Sequence, residues 1–129
     1  VCDWFGPTDF LRMNDVAGEI DHDAPDSPES QLIGGLIQGN KGKVAEANPI
    51  TYVSLAAPPF LIIHGKLDMT VIKNQSELLH QALQKKGNPS KLILIDDMAH
   101  GFWGVGVNLR QDILHHVWSF FDQHLKKCT

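Results

Sequence analysis

Pro58-Pro59-Phe60-Leu61-Ile62-Ile63-His64-Gly65 is the stretch on which the fold turns. Its apolar run is short, β-branched and unbroken, with prolines before it and a glycine after it, the signature of a strand buried on both faces. Downstream, Asn74 stands where a helix N-cap would and Glu77 follows as its capping-box partner. Leu78, Leu79, Ala82 and Leu83 form an apolar stripe and Gly87 supplies the stop, which predicts a helix over about residues 75–86. Lys91-Leu92-Ile93-Leu94-Ile95 reads as a second buried strand. Asn108 with Gln111 then opens a C-terminal amphipathic helix carrying Ile113, Val117, Phe120, Phe121 and Leu125. Strand, helix, strand, helix with buried strands implies parallel neighbours joined by right-handed crossovers. The fold class is α/β.

Upstream of this core, Val1-Cys2-Asp3-Trp4-Phe5 is an apolar, strand-like opening, and Gly6-Pro7-Thr8-Asp9 is a turn signal. With neither an initiator Met nor the start of a signal peptide, it reads like the middle of a longer sequence. An acidic stretch follows over residues 14–26. Asp21, His22, Asp23 and Asp26 invite a calcium reading, but Pro25 occupies the fifth position, no glycine follows and the twelfth position lacks Glu. A solvated loop is expected instead. Ser27-Pro28-Glu29 looks like an N-cap with proline at the first helical position, and Gly34-Gly35 ends that helix within two turns. A second short helix is expected over 43–47, because Asn48 precedes a proline. Residues 5–57 therefore read as a lid-like insertion between two strands, and 58–129 as strand, helix, strand, helix, within one segment of 129 residues.

Composition narrows the partners. The 129 residues are 43% hydrophobic and 20% charged, the balance of a globular chain. With 11 Lys plus Arg against 15 Asp plus Glu, the net charge is −4 and no basic stripe exists for a phosphate backbone, so nucleic acid is not an expected partner. No apolar run approaches the ~18 residues of a membrane span, and a soluble domain is expected. Cys2 and Cys128 allow one disulfide at most and offer no metal-site spacing. His115-His116 lack a third ligand at helical spacing, so no metal is expected.

In open α/β sheets, chemistry collects beyond the carboxyl ends of the strands. Asp68 lies three residues past Gly65, after the strand of Phe60 to His64, and His100 four residues past Asp96, after the next. Loops that follow strands ~5 Å apart can bring such residues within hydrogen-bonding reach. An Asp accepting from one imidazole nitrogen fixes the tautomer and leaves the other nitrogen free as a general base. The same two residues also have a bland reading, a loop-capping Asp and an exposed His. His64, at the end of a buried strand, reads as a satisfied core histidine.

These residues sit in strings that resemble a family. Asn48-Pro49-Ile50-Thr51-Tyr52-Val53, the Pro58 to Gly65 string with Asp68, Val71 and Gln75-Ser76, and Ala99-His100-Gly101-Phe102 are similar to the C-terminal part of bacterial α/β-hydrolase-fold carboxylesterases, the esterase/lipase or feruloyl-esterase-like group. Asp3-Trp4-Phe5-Gly6-Pro7-Thr8-Asp9-Phe10 and Asp26-Ser27-Pro28-Glu29-Ser30-Gln31-Leu32-Ile33-Gly34-Gly35 extend the likeness over the full length. The resemblance implies that Asp68 matches the triad acid and His100 the triad base, on the last three strands of an eight-stranded sheet. It departs from the family at Lys66, usually acidic, at Ile72, usually Pro, and at Ala99, more often Gly. A larger departure concerns the nucleophile. None of Ser27, Ser30, Ser54, Ser76, Ser90 and Ser119 lies in a Gly-x-Ser-x-Gly elbow, and no His-Gly-Gly oxyanion segment is present. Because the triad runs Ser, Asp, His in this fold, both missing parts belong upstream of Val1. Trp4, Phe5, Phe102 and Trp103 flank the strand ends where an acyl or aryl group would lie, and are the candidate substrate-binding residues.

Three readings follow. The chain is part of a serine ester hydrolase that supplies Asp and His; or a binding or interaction module derived from the esterase fold; or an α/β domain using Asp68 and His100 without serine. The first implies a small ester substrate, no cofactor, and a soluble bacterial protein, cytoplasmic or secreted. Its exposed strand edge over residues 1–5 is expected to pair with the missing N-terminal half or with a second copy.

Overall fold

The computed structural model describes residues 1–101 and 105–126. Three parallel strands, β1 (Cys2–Trp4), β2 (Phe60–Gly65) and β3 (Ser90–Ile95), form a sheet in the order β1-β2-β3. Cys2 pairs with Leu61 and Trp4 with Ile63, while Phe60 pairs with Ser90 and Gly65 with Ile95. The helices are α1 (Pro28–Ile33), α2 (Lys41–Ala47), α3 (Asn74–Lys85) and α4 (Val107–Leu125), with 3₁₀ turns at Phe10–Asp15, Ile37–Gly39 and Pro49–Tyr52.

Side-chain alternation along β2 feeds two separate cores. Ile62 faces Leu79 and Leu83 of α3, whereas Leu61 and Ile63 join Ile95, Met98 and Ile113 of α4, so the two long helices cover opposite faces. Leu61, Ile62 and Ile63 are fully buried. Each contributes about 1.5–3 kcal/mol by leaving water, which explains the apolar composition of the run. A third cluster belongs to the segment between β1 and β2. Phe10, Met13, Ile37 and Val44 pack there around Val71, a residue of the loop after β2. The segment is thereby seated on that loop.

Local signals account for most element ends. Ser27 Oγ accepts from Ser30 N at 3.1 Å, Pro28 opens α1, and Gly34 closes it in the left-handed region at φ 73°. α3 differs from expectation by one position. Lys73 is its N-cap and Asn74 its first residue, because a backbone turn already satisfies Gln75 N through Ile72 O at 3.0 Å, leaving the Asn74 amide to bond Arg12 O at 3.3 Å. α4 likewise starts at Val107 rather than after Asn108, and α2 starts two residues before the expected 43. The apolar stripe of α4 is only partly covered: Ile113 is buried, Val117 and Phe120 pack at the margin of the core, and Leu125 is 72% exposed. Cys128, Phe102 and Trp103 lie outside the described residues. Among the described residues no helix is long and apolar enough to cross a membrane.

One contact fixes how the loops after β2 and β3 meet. A Cβ at Gly65 would stand 2.0 Å from Met98 O, so the two chains approach as only glycine permits. Lys66 N donates to Ile95 O at 2.8 Å and Leu67 N to Met98 O at 3.0 Å across the same junction. Gly65→Ala is therefore expected to lower unfolding stability by at least about 2 kcal/mol, since backbone rather than a flexible side chain must move. A urea midpoint unchanged from wild type would refute the close approach.

Candidate active site

The junction at Gly65 and Met98 delivers Asp68 and His100 to one place. His100 Nδ1 lies 2.7 Å from Asp68 Oδ2, with the carboxylate fully buried and the imidazole 44% exposed. A carboxylate can only accept here, so the hydrogen resides on Nδ1 and the lone pair of Nε2 is left available. Asp68 Oδ1 accepts from Thr70 N at 3.0 Å and Val71 N at 2.9 Å. The first of these is the short-range turn that an Asp side chain makes with its own backbone two residues on.

His64 stands behind the carboxylate. It is fully buried, with Nε2 2.7 Å from Val71 O and 3.2 Å from Asp68 Oδ2, and Nδ1 2.7 Å from Ser76 Oγ on the first turn of α3. The core histidine expected from sequence is thus also a neighbour of Asp68. Burial by itself would raise the Asp68 pKa. Hydrogen bonds from His64, His100 and the Val71 N–H, with the charge of His100, outweigh burial and hold the carboxyl below its ordinary value.

Asp3 shows the opposite balance. Burial, only partly offset by the charge of His64 and the Gly6 N–H, pushes its carboxyl up, and among the described residues Oδ2 has no hydrogen-bond partner. The two carboxylates, Asp3 on β1 and Asp68 in the loop after β2, both feel His64, one well satisfied and one poorly.

Of the aromatic candidates among the described residues, Phe5 lies beside this pair. It is a buried non-glycine residue at φ 56°, a left-handed conformation costing about 1–2 kcal/mol. Its ring centroid is 5.7 Å from His100 and 5.9 Å from His64, the latter edge-on at 80°. Strain of this kind clusters where surrounding structure imposes it. Phe5 also belongs to the cluster on the α4 side of the sheet, against which Trp4 packs. Phe102 and Trp103, which follow His100 in sequence, are among the residues outside the description.

The acidic stretch is largely exposed, with Asp21 and Asp26 in solvent as expected, but His22 within it is buried. His22 is 3% exposed, its Nδ1 2.8 Å from Glu29 Oε2 and its Nε2 3.0 Å from Thr70 O. Sequence reading missed it because its partners are not local, Thr70 lying 48 positions away, and because Asp21 and Asp23 on either side give the segment a solvated character. The only sequence hint was the Ser27-Pro28-Glu29 cap that fixes Glu29 in the first turn of α1. Among the described residues no cluster of three His, Cys, Asp or Glu could hold a metal ion.

The sequence pattern of the BD-FAE family matches residues 1–83. A protein of Bacillus subtilis (strain 168) named uncharacterized peptidase YuxL is 35% identical over 85 residues, which is 64% of this chain and 13% of that protein. A bifunctional GH43-CE of Bacteroides eggerthii superposes with a TM-score of 0.80 at 32% identity, covering 98% of this chain and 16% of that one. A truncated form of a carbohydrate esterase from gut microbiota superposes with the same score at 28% identity, over 98% and 42% of the two chains. The chain thus spans less than half the length of each of these proteins.

The two aspartates predict opposite pH behaviour. Asp68, lowered when folded, adds stability that is present above the ordinary aspartate value of about 3.9 and is lost as pH falls through its folded pKa. Asp3, raised when folded, favours folding fully below about 3.9, and that contribution is lost as pH rises through its folded pKa. Asp68→Asn should therefore lower the melting temperature at pH 7 and Asp3→Asn, which keeps an acceptor for Gly6 N–H, should raise it. Both differences should shrink at the acid end. Melting curves of the two variants from pH 7 downward check this, and a stabilised Asp68→Asn or a destabilised Asp3→Asn at pH 7 would contradict it.

Proposed function

Since the chain belongs to the BD-FAE family, we propose that it supplies the acid and the base of a serine carboxylic-ester hydrolase, Asp68 as the acid and His100 as the base. The observation that carries this reading is the 2.7 Å contact between a fully buried Asp68 carboxylate and the Nδ1 of a half-exposed His100. The α/β-hydrolase fold and the esterases among its structural neighbours are consistent with it.

In this reading His100 Nε2 takes the proton of a serine hydroxyl as that oxygen attacks the ester carbonyl. It then returns the proton to the leaving alcohol, and the cycle repeats with water. Asp68 holds the Nδ1–H tautomer and stabilises the imidazolium formed on the way. Phe5, on the ring of His100, borders the acyl or aryl group, as Phe102 and Trp103 do in the family reading. The segment 5–57, which begins with Phe5, is a lid-like insertion between β1 and β2.

The nucleophile and the oxyanion donors come from outside these 129 residues. Ser76 is bonded to His64, Ser90 to His80 and Ser119 to His115, Ser27 caps α1, Ser54 Oγ accepts from Ala56 N, and Ser30 is buried. None sits in a Gly-x-Ser-x-Gly elbow. Among the described residues β1 pairs with β2 alone, so its outer edge is where a strand carrying the missing parts, or a second copy, would join.

Two outcomes are expected with a fluorophosphonate probe read by intact mass. The 129-residue chain takes up no label, and a chain to which the serine-bearing half has been added, in cis or as a second polypeptide, is labelled at the new serine. In that complete form Asp68→Asn should reduce ester turnover on the order of 10⁴-fold, the tautomer being lost. Labelling of any of the six present serines, or near wild-type turnover of Asp68→Asn, would overturn the assignment.

A further inference from the structure

Thr70 and Val71 are used twice. Their N–H groups hold Asp68 Oδ1, and each of their carbonyls accepts from a different buried histidine, Thr70 O from His22 Nε2 at 3.0 Å and Val71 O from His64 Nε2 at 2.7 Å. A carbonyl only accepts, so both rings donate a hydrogen from Nε2, and since a carboxylate also only accepts, His22 donates from Nδ1 to Glu29 as well. Each ring is set from its other side as well, His22 by Glu29 Oε2 at 2.8 Å and His64 by Ser76 Oγ at 2.7 Å. All four of these side chains belong to buried residues. They come from different places: His22 and Glu29 from the segment between β1 and β2, His64 from the end of β2, and Ser76 from α3.

We infer that His22 and His64 are positioning residues for the acid and base, gripping consecutive peptide carbonyls of the loop so that Asp68 presents Oδ2 to His100. The inference rests on the reading of Asp68 and His100 as acid and base. Its physical basis is the length of the lever. Asp68 is anchored by its own loop, and a turn of four residues in water has several accessible shapes, each placing the carboxylate differently. A displacement of about 1 Å is enough to break a contact as short as that to His100. Apolar side chains at positions 22 and 64 would fill space without fixing a peptide plane, whereas an N–H aimed at a carbonyl fixes both its position and its direction. His64 adds a direct contribution, its Nε2 being 3.2 Å from the same Oδ2 that bonds His100.

A role confined to packing and a role in positioning separate when glutamine is compared with leucine, because a glutamine amide can reach where Nε2 stood and donate to the same carbonyl. Imidazole nitrogen NMR of His100 in the full chain reads the tautomer directly. The wild type should show the hydrogen on Nδ1. His22→Leu and His64→Leu should lose that signal to tautomer averaging, and His22→Gln and His64→Gln should keep it. With the serine-bearing half supplied, the leucine variants should lose about 10- to 100-fold in kcat with KM within about twofold, the range typical of residues that orient a functional ligand from behind, and the glutamine variants should recover most of it. A folded His22→Leu that retains both the His100 signal and wild-type kcat would overturn the inference, and this variant is decisive should His64→Leu fail to fold. If the wild-type chain itself lacks the Nδ1 hydrogen, the acid–base reading fails before the positioning one is reached.

Discussion

A carboxylate sealed from water must be met by donors or give up its charge, and Asp68 is where this chain meets that demand. Two backbone N–H groups take Oδ1, and His100 with His64 beside it takes Oδ2. Everything nearby serves those contacts. The parallel register carries Gly65 alongside Ile95, the glycine admits Met98 O, and the two loops cross at the one separation that lets the imidazole reach the acid. Val71 closes the arrangement from the other side, its backbone on Asp68 and its side chain in the small core of the preceding segment.

Satisfaction is unevenly distributed across the sheet. His64 acts on both Asp68, which gains from being charged, and Asp3, which loses by it. Phe5 adds backbone strain at the same end of β1. A domain that placed these groups for stability alone would replace Asp3 with a neutral residue and Phe5 with glycine. Their concentration around one imidazole pair fits the tendency of costly conformations and perturbed carboxyls to gather at working sites.

What could be read from the sequence was what neighbouring residues determine. The apolar runs of β2 and β3, the Ser27-Pro28 start and Gly34 stop of α1, and Gly87 after α3 are local signals, and the structure follows them closely. Asp68 and His100 could be picked out because topology places the loops after adjacent parallel strands side by side. His22 could not, since its burial depends on a carbonyl far along the chain and its acidic neighbours argue for water. Nor could periodicity tell how much of the α4 stripe is covered: a stripe has a direction but no measure of what packs on it, and Leu125 and Trp118 stay exposed. The start of α3 shifted by one because a preceding turn did the work assigned to the Asn74 side chain.

The small core around Val71 bears on how such a domain can be rebuilt. The segment between β1 and β2 has the short helices and polar turns of a replaceable ornament, the part a designer would exchange first. Here it donates Glu19 N to Met69 O at 2.7 Å, places His22 on Thr70 and wraps Phe10, Met13, Ile37 and Val44 around Val71. Three consecutive residues of the loop bearing the acid are therefore foundations of the ornament, and the two form one graftable unit. A chimera that takes the segment from one relative and residues 69–71 from another would inherit neither core, however well the strands matched.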